Sequence, residues 1–187
     1  MKKDFGAQTW LYPMPVLIVA AYGDDGTPNA MNAAWGGVCD YGRVAVCLDD
    51  EHKTTKNLLA RRAFTVAVAD AAHLVEADYL GIVSGNDVPN KLEVAGLTCT
   101  KAAHVDAPVI DQFPMALECE LVSHDEESGV VVGQVVNVCV EETCLNEAGK
   151  PDPAKLRPIT FDPANAAYWT LGERAGGAFA DGQKLVE

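Results

Sequence analysis

The run Val16-Leu17-Ile18-Val19-Ala20-Ala21-Tyr22, bounded by Pro15 and Gly23, is apolar without interruption. A run that short reads as a strand buried on both faces, because a half-exposed strand alternates and a helix needs more length. Gly23-Asp24-Asp25-Gly26 follows, and Asp-Gly readily takes positive φ, so the chain is expected to fold back as a hairpin. The returning limb carries Asn29-Ala30-Met31-Asn32-Ala33-Ala34-Trp35-Gly36-Gly37, a mixture of small side chains, amides and one large aromatic. Backbone flanked by such residues can approach a flat ligand.

The same reasoning predicts strands at Arg43–Leu48 and Phe64–Val68. Between them a helix starts after Asp49-Asp50-Glu51-His52-Lys53, with Thr54 or Thr55 as its cap and Leu58, Leu59 and Arg62 giving it a modest apolar side. Asp70 is placed to cap a second helix running through Val75, Leu80 and Val83. From Ser84 to Pro114 the pattern weakens, with Pro89, Gly96, Pro108 and Pro114 as punctuation, and this reads as an excursion over the surface. Met115–Leu121 alternates as a half-exposed strand does, and Val130–Val140, after the Ser128-Gly129 turn, is apolar on both faces. Four prolines between Asn146 and Pro163 exclude a long regular element there, and Ala167–Gly172 adds a short last strand. Six or seven strands joined by hairpins with two clear helices point to a mainly β protein built as an antiparallel barrel. No repeat or linker interrupts the chain, so 1–187 is expected to be a single domain.

Fourteen Lys and Arg against 27 Asp and Glu give a net charge of −13, which disfavours nucleic acid and anionic membranes as partners. Against that background His52, Lys53, Lys56, Arg61 and Arg62 form a local positive cluster at a helix start, a setting suited to a phosphate. The alternative is a solvated helix face. No apolar run approaches the roughly 20 residues that span a bilayer, and no secretory h-region follows Met1-Lys2-Lys3, so a cytoplasmic location is expected. The six cysteines lack C-x-x-C spacing, and Cys47, Cys119 and Cys139 sit in strand-like runs, where small buried thiols are expected. The chain contains no G-x-G-x-x-G after a strand, no Walker-type loop and no G-x-S-x-G, and its four histidines are too scattered to suggest a metal.

Taken in order, Tyr12-Pro13-Met14-Pro15-Val16, Pro28–Gly36, His52-Lys53-Thr54-Thr55-Lys56-Asn57, Phe64-Thr65-Val66, Asn90–Thr98, Ala116–Cys119, Val132–Val135 and Tyr168–Glu173 resemble the flavin reductase-like, flavoredoxin-type proteins. The resemblance covers nearly the whole chain. It implies an FMN-binding split β-barrel that forms a homodimer, with a non-covalent flavin near the subunit interface. It further implies that Asn32, Ala33, Ala34 and Trp35 line the flavin ring and ribityl chain, with Leu48 and Asp49 against the cofactor. His52, Lys53, Thr54, Thr55 and Asn57 would surround the phosphate, with Lys91 and Trp169 near the site. The Asn32-Ala33-Ala34 segment stands where relatives often carry Val or Thr, which implies fewer polar side-chain contacts. The activity implied is an oxidoreductase moving hydride or electrons through the flavin, between a small-molecule or protein donor and an acceptor. NADH or NADPH would serve as a transient donor; the alternative is a non-catalytic electron-transfer protein that nicotinamides do not reduce.

Overall fold

The computed structural model describes residues 1–186. Its elements are β1 (Met14–Pro15), β2 (Leu17–Tyr22), β3 (Pro28–Ala33), β4 (Gly36–Asp40), β5 (Arg43–Cys47), α1 (Lys53–Arg61), β6 (Ala63–Val68), α2 (Leu74–Ile82), α3 (Lys91–Val94), β7 (Cys99–Lys101), β8 (Pro108–Ile110), β9 (Met115–Asp125), β10 (Val130–Val140), α4 (Pro153–Leu156), β11 (Ile159–Asp162) and β12 (Ala167–Thr170). Seven strands pair antiparallel in the order β3-β2-β6-β9-β10-β5-β4, forming a curled half-barrel. A second sheet, β1-β11-β12, joins the N-terminal segment to the late strands, and β7 pairs with β8.

β2 explains why both faces of the sheet are covered. Ile18 and Ala20 point to a core completed by α2, α3 and β8, through Ala77, Leu80, Leu92 and Ile110. Leu17, Val19 and Ala21 point the other way, to a core enclosed by the curl with Val44, Val46, Phe64, Cys119 and Val131. The long pair β9–β10 carries two register shifts, which bend it around this second core. Gly133 sits at one of them, and a Cβ there would come within 2.4 Å of Phe64 Cζ, so the close approach requires glycine.

The hairpin of β2 and β3 has the expected register, from Leu17 opposite Ala33 to Tyr22 opposite Pro28. Several local expectations are corrected. The segment from Ser84 to Pro114 is no mere surface excursion, since Leu92, Leu97, Ile110 and Phe113 are buried in the first core. In β9 the face expected to be wet is buried around Glu118, whose carboxylate accepts from the His104 N–H at 2.7 Å and Asn137 Nδ2 at 2.7 Å. β10 is only partly covered, with Val136 and Val138 exposed. Cys47 is exposed, whereas Cys119 is buried and Cys139 half-buried. Asp70 does not cap α2 directly; its carboxylate accepts from the His73 N–H and ring, one turn earlier.

Candidate functional site

α1 begins at Lys53 with His52 as its cap residue, and neither Thr54 nor Thr55 serves as the cap that the sequence suggested. No side chain caps the helix and no acidic residue lies in its first turn. The amides of Lys53, Thr54 and Thr55 therefore have no intrahelical acceptor, and the positive end of the helix dipole is open. Facing this end is a cavity of about 220 Å³. Its wall comprises Asn29, Met31 and Asn32 of β3, His52 to Thr54, the end of α2 with Val83 to Gly85 beyond it, and Lys91.

Three basic residues line the cavity and no acidic one does. Lys91 is 2% exposed, and its ammonium donates to the carbonyls of Leu80 (3.0 Å) and Val83 (2.7 Å). Burial lowers its pKa to about 8. Thr54 Oγ1 donates to Asn29 Oδ1 at 2.7 Å, tying the helix start to β3. Asn86 Nδ2 donates to the Glu51 carbonyl at 3.0 Å and holds the segment after α2 against the approach to α1. That segment needs Gly85, where a Cβ would lie 2.3 Å from Asn29 Nδ2. Asn32 Nδ2 donates to the Ala77 carbonyl at 3.0 Å, fixing its amide against α2. Beside it Tyr168 donates to Asp78 Oδ1 at 2.8 Å; burial first, then that carboxylate, pushes the Tyr168 pKa up to about 12.

Beyond Asn32 the wall changes character. Ala34 and Trp35 border an apolar cleft of about 570 Å³, whose other side is the N-terminal segment from Gln8 to Pro15. Trp35 is 56% exposed and also walls a third cleft of about 640 Å³ with Cys47 to Glu51 and Glu126 to Gly129. Five carboxylates line that cleft: Asp49, Asp50, Glu51, Glu126 and Glu127. His124 Nε2 lies 2.8 Å from Asp50 Oδ1 at its edge.

The residues singled out in the sequence thus separate. Asn32, His52, Lys53, Thr54 and Lys91 meet at the small cavity; Ala34, Trp35, Leu48 and Asp49 lie along the open clefts. Ala33 faces the enclosed core, and Thr55 is fully buried with its hydroxyl unpartnered. Asn57 is buried; with its amide oxygen toward Gly23 N–H (3.3 Å) and its nitrogen toward the Lys53 carbonyl (3.2 Å), it holds the hairpin turn onto α1. Trp169 lies on β12, where its Nε1 donates to Asp162 Oδ2 at 3.4 Å, and it does not line any of the three clefts. The positive cluster also disperses. Lys56 pairs with Glu51, Arg61 binds the Gly23 carbonyl and Asp106, and Arg62 ends the helix with φ 57°. Asn29, Ser84 and Gly85 belong to the cavity and were not among the expected site residues; the signal for them is the Ser-Gly pair that follows α2.

Among the described residues no group of His, Cys, Asp and Glu is arranged to hold a metal, and no helix is long and apolar enough to cross a membrane. A half-barrel with an acid-free, basic cavity at a helix N-terminus defines a split-barrel protein suited to an anionic ligand. The model described as "Flavin reductase like domain" matches residues 9–161, and the chain belongs to that family. The structure is similar to that of a flavoredoxin from Desulfovibrio vulgaris (Miyazaki F), at 38% identity over 97% of this chain and 100% of that one, with a TM-score of 0.93. It is also similar to a flavoredoxin from Methanosarcina acetivorans, at 28% identity over 99% of each chain, with a TM-score of 0.88. An uncharacterized protein from Aeropyrum pernix is 31% identical over 115 residues, which cover 60% of this chain and 43% of that relative.

Proposed function

We propose that the protein is an oxidoreductase holding FMN non-covalently. The observation that carries this is the cavity at the start of α1. On a chain of net charge −13, His52, Lys53 and buried Lys91 meet unpaired helix amides with no carboxylate among the lining residues. Such a donor set fits a phosphate monoester. At about 220 Å³ the cavity suits the phosphate and part of its polyol arm rather than a whole flavin, since pockets for complete ligands run to roughly 300–1,000 Å³. The ring would then lie along Asn32, Ala34 and Trp35, with Leu48 and Asp49 beside it.

In this reading Thr54 and Asn29 hold the first turn of α1 in place for the phosphate. Lys91 supplies a desolvated charge, and the Trp35 indole shields one side of the ring from water. When bound, FMN supplies the redox chemistry, accepting hydride or electrons and passing them on. The exposed side chains of Phe5, Trp10, Leu11, Val38 and Val138 support a homodimer. The free cysteines support a reducing, cytoplasmic setting.

The five carboxylates beside Trp35 favour a second reading, an electron-transfer protein that reduced nicotinamides do not serve directly. They would repel a dinucleotide carrying phosphate charge. Fluorescence titration of the apoprotein with FMN tests the cofactor; no quenching at micromolar protein would sink the proposal. Anaerobic addition of NADH, then NADPH, to the yellow protein separates enzyme from shuttle: prompt bleaching selects the first, and an unchanged spectrum the second.

A further inference from the structure

Lys91 stands at the first position of α3, and the two carbonyls it binds belong to Leu80 in the last turn of α2 and to Val83 just beyond. The ammonium therefore closes the carbonyl end of one helix while forming part of the wall that faces the amide end of another. Two of its three N–H groups are used, and among the described residues no carboxylate pairs with it.

The surrounding elements supply no counter-charge at the cavity. From α1 come His52 and Lys53; from β3, the neutral Asn29, Met31 and Asn32; from α2 and the residues after it, the neutral stretch Leu80 to Gly85. No acidic group on the packed elements lines the cavity, Glu76 in the first turn of α2 included. Asp78 of α2 accepts from Tyr168, Glu93 of α3 accepts from Asn90 Nδ2, and Asp87 is exposed.

We propose that filling this cavity with a phosphate monoester draws a proton onto Lys91, so that ligand affinity is coupled to proton uptake and weakens as the medium turns alkaline. This regulation rests on the FMN reading of the same cavity. Without a ligand, burial alone brings the Lys91 pKa down to about 8. An anion in the cavity favours the charged amine and moves that value back up. Between the two values each binding event takes up one proton, and affinity falls toward tenfold per pH unit; below about 8 the amine is already charged and the dependence vanishes. The second ionisation of the phosphate, near 6, lies below this window.

The test measures FMN dissociation constants of the apoprotein by fluorescence from pH 7 to 9.5. Calorimetry in two buffers of different ionisation heat counts protons, and riboflavin is run in parallel. The expected result is a flat profile to about pH 8 and a slope approaching tenfold per unit above it. About one proton is taken up per FMN at pH 9, close to none at pH 7, and riboflavin shows no slope. Lys91→Arg, which keeps its charge, flattens the FMN profile, and Lys91→Gln weakens FMN at pH 7 and also flattens it. Should neither variant fold, the proton count on the natural chain decides. FMN that binds at pH 9 without proton uptake overturns the coupling alone, whereas FMN that binds at no pH overturns the flavin reading and this inference with it.

Discussion

The cavity at α1 and the clefts at Trp35 differ in how their walls are held. At α1 the polar groups are buried and mutually fixed: Thr54 to Asn29, Asn32 to the Ala77 carbonyl, Lys91 to Leu80 and Val83. At Trp35 the indole is more than half exposed; the irregular N-terminal segment walls the cleft on one side of it, and a row of carboxylates lines the other cleft that it borders. The first is rigid before any ligand arrives, as the proposed phosphate site requires. The second offers an open apolar face with acidic flanks, suited to admitting a reaction partner rather than to gripping a ligand. Affinity is expected to reside at α1 and partner choice at Trp35.

The sharpest way to break this contrast is Gly85→Ala. The added methyl must displace the Asn29 side chain from 2.3 Å and with it the Thr54 contact, so FMN affinity is expected to fall about a hundredfold, equivalent to about 3 kcal/mol. Retention of affinity within threefold, with circular dichroism unchanged, would show that the Asn29–Thr54 tie is dispensable. Trp35→Ala should weaken FMN and riboflavin alike, by roughly tenfold or less, while leaving thermal stability unchanged because the indole is exposed. A Tm drop of many degrees would instead make Trp35 part of the core.

Thr55→Val sharpens the assignment of the two threonines. Its hydroxyl is buried without a partner, so the apolar replacement is expected to stabilise the apoprotein by about 1 kcal/mol and to leave FMN affinity untouched. A loss of affinity would return Thr55 to the site. The smallest effect concerns the N-terminal segment, a strap along one side of the apolar cleft. Tyr12 OH donates to Asp162, and this bond, ahead of that from Asn165, holds the Asp162 carboxyl at about 2. A depressed carboxyl contributes its stability above the ordinary value near 3.9 and loses it as pH falls through about 2. Trp10 fluorescence should therefore shift in that acid window in the natural chain and lose the transition in Tyr12→Phe; identical curves would mean that the strap does not depend on this pair.

The hairpins were legible because strand period and turn chemistry are local properties. Val16–Tyr22 and the Asp-Gly turn specify pairing without reference to anything distant. The buried part of 84–114 was not, because Leu92, Leu97, Ile110 and Phe113 follow no period and gain their partners only when the segment folds over α2 and β2. Thr54 and Thr55 are indistinguishable in sequence, and only helix phase assigns one to the cavity and the other to the interior. Lys91 entered through resemblance alone; a single lysine amid turn residues carries no signal of burial. Trp169 also entered through resemblance alone, and the sheet joining its strand β12 to β1 depends on pairings across the length of the chain.

β3 is the outermost strand on its side of the main sheet, with β2 as its only strand neighbour there, and both α1 and α2 pack against it. The helices that shape the cavity thus also screen a margin where a foreign chain would otherwise add itself by backbone pairing. Redesigns that pry these helices apart to admit bulkier molecules should, for that reason, be prone to clumping before they lose their secondary structure.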